Sequence, residues 1–180
     1  MNLANKLIEN MNKIPKKVAI IQDNNKITYR GLYNKIASFK DYLEKKGIKK
    51  GDKILVLVPM SIELYITLFS LWSIGAIPCF MDAGFIKNGV KNNEFADING
   101  IIGITKYLLY AKINKNLNNL KVKVNVNIIG KLKEKFDLQI QDLENDFPAI
   151  FTYTSGTTGK SKIACRTHEF LRNSSSNIRG

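Results

Sequence analysis

At 180 residues the chain is long enough for one well-cored domain or slightly more. Its 44% apolar and 24% charged residues are those of a folded globular protein and exclude a disordered one. The formal net charge of +13 invites a polyanionic partner, yet the lysines run from Lys6 to Lys162, and the looser cluster from Lys112 to Lys135 has no aromatic residue interleaved. Without that stacking platform the charge reads as a solvated lysine-rich face, and no nucleic-acid partner is expected.

The first element is a helix over residues 2–12, marked by the stripe Leu3, Leu7, Ile8 and Met11. After Pro15, Val18 to Ile21 and Lys26 to Thr28 flank a turn at residues 23–25 and read as a short hairpin. Thr28 then caps a helix whose apolar positions Leu32, Ile36, Phe39 and Leu43 share one face, and Gly47 ends it. Lys53 to Val58 is a continuous apolar strand, the pattern of a parallel strand covered by helices on both faces. Pro59 stops it, and Ser61 caps a helix running to about Ile74 that is apolar on nearly every side. Trp72 belongs to that core.

Leu64 to Met81 is 18 residues without a charge, the length at which a membrane span must be considered. Gly75 and Pro78 interrupt it, so it divides into the buried helix and a strand, Ala76 to Met81, and no transmembrane segment is expected. Asp82-Ala83-Gly84 forms the loop at that strand's carboxyl end, where Asp82 reads as a turn-stabilising carboxylate. A helix at Ile86 to Asp97, a strand at Ile101 to Ile104 and a helix around Tyr107 to Leu109 follow. Val122, Val124, Val126 and Ile128 alternate as a half-exposed strand, and residues 130–148 form a connection with little regular structure. Ile163-Ala164-Cys165 is a return strand, and Thr167 caps a last helix holding Phe170 and Leu171. His168, the only histidine, reads as a capping or packing residue rather than a general base. Strands and helices alternate throughout, so the expected class is α/β, a layered, largely parallel sheet flanked by helices, in one domain over 1–180.

The two cysteines, Cys79 and Cys165, lie in β-like apolar contexts and form no metal-ligand pair. Both are expected as buried thiols of a reducing compartment. No signal-peptide core follows Leu7-Ile8, and the expected location is cytoplasmic.

The chemistry concentrates in Ala149 to Lys162. An apolar, β-prone run opens into Thr154-Ser155-Gly156-Thr157-Thr158-Gly159-Lys160-Ser161-Lys162. Glycine allows close backbone approach, and hydroxyls, amides and an ammonium together suit a polyphosphate. By local composition alone the stretch fits an anion cradle or an ordinary Gly/Thr/Ser turn equally. A Walker loop is excluded, because that pattern needs four residues between its glycines and Gly156 and Gly159 are separated by two.

Tyr153-Thr154-Ser155-Gly156-Thr157-Thr158-Gly159-x-x-Lys162 resembles the phosphate-binding signature of the adenylate-forming enzymes, which include acyl-CoA synthetases, peptide-synthetase adenylation domains and luciferases. Ile27-Thr28-Tyr29, the run Lys45 to Asp52 and Leu68 to Asp82 are similar to that family's early segments, in the same order, so the resemblance covers roughly residues 15–180. Phe80 to Gly84 and His168-Glu169-Phe170 look most like the fatty-acyl branch, with its acyl ligases. The resemblance implies the N-terminal part of the large domain of an AMP-forming ligase. In such an enzyme the carboxylate of a small acid, here a fatty acid, attacks the α-phosphate of ATP, and the acyl-adenylate then passes to CoA or another acceptor. It implies that Thr154, Ser155, Gly156, Thr157, Thr158 and Gly159 embrace the β- and γ-phosphates, that Lys162 supplies the family's lysine, and that Mg²⁺ shares the charge. No residue of the chain itself is expected to ligate the metal.

Two departures from the family pattern are local. The family reads Pro-Lys-Gly after the loop and this chain reads Ser161-Lys162-Ile163, which removes proline's fixed φ and adds a side chain where the backbone was bare. The third is larger. The family's adenine-binding segment, ribose-binding aspartate, acyl pocket and C-terminal domain with its adenylation lysine lie downstream of this loop. The chain is therefore expected to hold no catalytic residue of its own and to lack the C-terminal domain, either as one part of an enzyme whose remainder is separately encoded or as a non-catalytic remnant or interaction module of the same fold.

Overall fold

A computed structural model describes residues 2–81, 97–155 and 161–176. Helix α1 (Asn5–Lys13) starts three residues later than the apolar stripe suggests, because residues 2–4 are held in another way described below. Strands β1 (Val18–Gln22) and β2 (Asn25–Thr28) pair antiparallel around a two-residue turn at Asp23 and Asn24. The Thr28 hydroxyl accepts the Gly31 amide at 3.2 Å and starts α2 (Tyr29–Lys45), as the capping pattern predicts. Strand β3 (Lys53–Leu57) leads to α3 (Ile62–Ile74), whose Ser61 cap accepts the Leu64 amide at 3.2 Å. Gly75, at φ +78°, ends α3 in the left-handed conformation that glycine adopts without steric cost.

Beyond α3 lie β4 (Ile77–Met81), β5 (Gly100–Gly103), α4 (Thr105–Ile113), the short α5 (Lys115–Asn118) and β6 (Val122–Asn125). A 3₁₀ helix (Val126–Lys131) follows, then β7 (Pro148–Ser155), β8 (Ser161–Thr167) and α6 (His168–Ser176). The loop at Asp82 and the helix expected from Ile86 lie outside the described residues.

The main sheet runs β6-β5-β3-β4-β7-β8, parallel except for the antiparallel β7–β8 pair. Strand β3, near the middle, sends alternate residues to opposite layers. Ile54 and Val56 join Leu7, Ile36, Phe39 and Leu71 on the face covered by α1, α2 and α3. Leu55 and Leu57 join Ala111 and Leu117 under α4 and α5. This two-sided burial explains why β3 is apolar at every position from Ile54 to Leu57 rather than at every second one. Gly100 serves the same sheet by having no side chain: a Cβ there would lie 2.9 Å from the Val122 Cβ on β6.

Two expectations are corrected. The strand predicted over residues 122–128 ends at Asn125, opposite Gly103, the last residue of its only described partner strand. With no ladder left, Asn125 Oδ1 accepts the Asn127 amide at 3.0 Å and the chain turns into the 3₁₀ helix, burying Val126 and Ile129 three apart. Cys165, expected in the core, is exposed, whereas Cys79 is fully buried. The apolar neighbours of Cys165, Ile163 and Ala164, mimic a covered strand, but β8 is the last of the described strands of the sheet and residues 163–166 are all exposed. No described helix is long and apolar enough to cross a membrane.

Candidate functional site

In register, Thr154 on β7 pairs with Lys162 on β8, and Ser155 with Ser161. The hairpin thus brings both ends of the sequence motif together, with residues 156–160 between the last paired residues. Gly156, Thr157, Thr158 and Gly159 lie outside the described residues, and of Thr154, Ser155 and Lys162 the backbone alone is described. Strand β7 runs parallel to β4, with Met81 opposite Tyr153, so Thr154 and Ser155 emerge at the carboxyl edge of the parallel strands. In open α/β sheets that edge is where ligands bind.

Below the hairpin tip, β7 turns Tyr153 into the core. Tyr153 is 3% exposed and shares its buried cluster with Cys79, whose thiol donates to the Ile77 carbonyl at 3.5 Å. Burial pushes the Cys79 thiol up to about 12 and the Tyr153 hydroxyl likewise to about 12. Both groups are neutral at physiological pH, so Cys79 carries no nucleophilic thiolate. Lys53 sits with its ammonium 5.3 Å from the centre of the Phe151 ring and 3.3 Å from Asp97 Oδ2. On β8, Arg166 donates to the Thr152 hydroxyl at 3.4 Å. Ile163, one residue after Lys162, is 59% exposed. Among the described residues no three His, Cys, Asp or Glu side chains converge as a metal cage.

The opposite end of the hairpin is tied down by residues that the sequence does not mark as functional. Trp72, at the end of α3, donates its indole N–H to the Ala149 carbonyl at 2.9 Å. Asn2 is 1% exposed and donates through Nδ2 to the Trp72 carbonyl at 2.6 Å and to the Gln141 carbonyl at 3.0 Å. Its Oδ1 accepts the Ala4 amide at 3.0 Å. His168 is also 1% exposed; its ring lies edge-on to Trp72, and its Nδ1 accepts the Leu3 amide at 3.1 Å. Its own amide donates to the Phe147 carbonyl at 3.3 Å, one residue before β7 begins. Thr167 caps α6 by accepting the Phe170 amide at 3.1 Å. His168 is therefore a packing residue, as its context predicts. Asn2 shows no local signal, because an asparagine near a chain end reads as solvated and its partners lie 70 and 139 residues away.

A family model described as AMP-binding enzyme matches residues 7–179. The chain belongs to this family of adenylate-forming enzymes and corresponds to its N-terminal portion. Among curated proteins it is 28% identical over 170 residues to the acetyl-coenzyme A synthetase of Methanothrix thermoacetophila, covering 79% of this chain and 26% of that protein. It is 26% identical over 158 residues to the peroxisomal OPC-8:0-CoA ligase 1 of Arabidopsis thaliana, covering 81% and 29%. The chain thus spans about a quarter of the length of the acetyl-coenzyme A synthetase it matches.

Among solved structures, the inhibitor-bound N-terminal domain of FACL13 from Mycobacterium tuberculosis superposes with a TM-score of 0.79 at 19% identity, covering 93% of this chain and 44% of that one. The anthranilate CoA ligase AuaEII in complex with anthranoyl-AMP gives 0.77 at 20%, covering 94% and 34%. At these identities the likeness is one of fold.

Proposed function

We propose that this chain supplies the phosphate-binding hairpin of an enzyme that activates a carboxylic acid with ATP and passes the acyl group to CoA. The observation that carries the proposal is the Thr154–Lys162 pairing at the carboxyl edge of the sheet, which brackets the signature residues in a chain of the AMP-binding family. In this reading Thr154, Ser155, Gly156, Thr157, Thr158 and Gly159 offer hydroxyls and amides to the β- and γ-phosphates, and Lys162 adds a fixed positive charge. Holding pyrophosphate in place while the acid's carboxylate attacks the α-phosphate stabilises the charge that develops on the leaving group. Mg²⁺ would enter with the nucleotide, whose phosphate oxygens serve as its ligands, so a protein-built metal cage is not required.

The names of the curated relatives support CoA as acceptor and a carboxylic acid as substrate. A fatty acid is the member of that class we favour, from the likeness of Phe80 to Gly84 to the fatty-acyl branch. Calorimetric titration of the chain with Mg·pyrophosphate and Mg·ATP tests the phosphate assignment. Saturable binding that weakens about tenfold or more in Lys162→Ala is expected, since a charge-assisted contact contributes roughly 1.5–3 kcal/mol. Equal binding by the variant would remove Lys162 from the site.

A further inference from the structure

Strand β8 carries Lys162 yet is the least supported strand of the sheet. Among the described strands it is the terminal one, its only described strand partner is β7, and residues 163–166 are exposed. Strand β7 is itself paired to β4 only from Phe151 to Tyr153. What fixes the direction of β8 beyond its pairing with β7 is its junction with α6, at His168.

That junction closes a ring of contacts through the chain's first residues. Asn2 Nδ2 holds the Trp72 carbonyl, and Trp72 Nε1 holds the Ala149 carbonyl on β7. The Phe147 ring, just before β7, faces the His168 ring at 6.5 Å with an interplanar angle of 28°. The His168 Nδ1 then holds the Leu3 amide, one residue from Asn2. Both roots of the hairpin, Ala149 and His168, are thereby attached to the same two N-terminal residues, Asn2 and Leu3. Asn2, Trp72 and His168 are buried, and each holds a backbone group through a polar side-chain atom, a costly arrangement that a merely space-filling contact does not need.

We propose that Asn2, Leu3 and His168 form a clamp that positions the candidate phosphate loop from the far end of its hairpin. The proposal rests on the reading that residues 154–162 bind phosphate. Lys162 lies six residues before His168, about 20 Å along an extended strand, so a swing of about 5° at the junction displaces it by about 2 Å. A displacement of that size is enough to spoil a preorganised anion site. His168 and Asn2 are positioning residues here and touch no phosphate.

The test compares His168→Leu, His168→Asn and Asn2→Ala with the unmodified chain. Asn at 168 places Oδ1 near the position of Nδ1 and can still accept the Leu3 amide, whereas Leu fills the space without an acceptor. Two readouts are taken on folded protein well below its melting temperature. The first is amide hydrogen exchange along β7 and β8, with β3 and β5 as internal reference. The second is affinity for Mg·pyrophosphate.

The clamp predicts about tenfold faster exchange at the tip residues Thr154, Ser155, Ser161 and Lys162 in His168→Leu and Asn2→Ala, with β3 and β5 unchanged and His168→Asn close to wild type. Pyrophosphate affinity should fall about tenfold in the same two variants and recover in His168→Asn. Faster exchange confined to residues 147–149 and 167–168, with the tip unchanged, overturns the clamp. So does a loss of affinity equal in His168→Leu and His168→Asn. Should His168→Leu fail to fold, Asn2→Ala decides alone on the same criteria. If the unmodified chain binds no pyrophosphate, the phosphate reading fails instead, and the exchange pattern still decides whether the clamp sets the hairpin tip.

Discussion

The backbone amide of Leu3 donates to Nδ1 of His168 at 3.1 Å, joining positions 165 residues apart in the sequence. With Nδ1 used as an acceptor, the neutral ring carries its proton on Nε2, a buried atom with no hydrogen-bond partner among the described residues. Protonating Nδ1 would set two N–H groups against each other. Burial, with a smaller contribution from the positive amino terminus, holds the His168 pKa down at about 4, against an ordinary value of 6.5.

This makes stability pH-dependent with a definite sign. The folded pKa is depressed, so the unfolded chain takes up a proton first, and stability is fully present above about pH 6.5 and lost as pH falls toward 4. The loss approaches about 3 kcal/mol, at 1.36 kcal/mol per pKa unit. Denaturant melts from pH 7.5 to 4.5 should show this slope in wild type and a flatter one in His168→Asn. Glu9 and Asp41, whose carboxyls are held low chiefly by hydrogen bonds from Lys6 and Lys135, are present in both proteins and cancel in the comparison. Equal slopes would show that His168 is not the titrating group.

The two cysteines should separate cleanly by reactivity. Cys165 is exposed on the edge strand, and Cys79 is fully buried with its thiol pushed up to about 12. A chromogenic disulfide reagent should label one thiol rapidly in native protein and the second only after denaturation, with Cys165→Ser abolishing the rapid phase. Two rapid thiols would contradict the placement of β4 in the core.

Gly100→Ala should destabilise the sheet without touching the hairpin. The added methyl would meet the Val122 Cβ at 2.9 Å and the Val122 carbonyl oxygen at 3.1 Å, forcing β5 and β6 apart. A loss of about 1–3 kcal/mol in a thermal or urea melt is expected, as for other overpacked sites. A neutral effect would mean that β6 yields freely.

The chain alone should not complete adenylation. It spans 26% of the acetyl-coenzyme A synthetase it matches, and the family resemblance implies that the adenine-binding segment and the adenylation lysine lie downstream of the loop. Acid-dependent exchange of labelled pyrophosphate into ATP by the purified 180 residues, supplied with acetate or fatty acids, would overturn this expectation.

Local chemistry made much of the fold legible. Thr28 and Ser61 cap the helices their positions announce, Gly47 and Gly75 end them with positive φ, and the unbroken apolar run of β3 foretells burial on both faces. Each of these signals acts within a few residues of itself. What was hidden depends on neighbours far away in sequence. Cys165 sits in an apolar run, but its exposure follows from β8 being the edge strand, a property of sheet order. The end of β6 at Asn125 is set by the length of β5. The site divides in the same way: the hydroxyl- and glycine-rich motif is readable as a string, whereas Asn2 gains its role from carbonyls at positions 72 and 141.

The most direct measurement is an amide-resolved NMR titration of the isotopically labelled chain with Mg·pyrophosphate at physiological ionic strength. Saturable shifts concentrated between Thr154 and Lys162, the paired residues that bracket the motif, are expected, as is their loss in Lys162→Ala. Shifts scattered over surface lysines from Lys6 to Lys135, absent from the hairpin and erased by added salt, would mean that the +13 chain attracts anions only through its general charge, and would contradict the phosphate clamp.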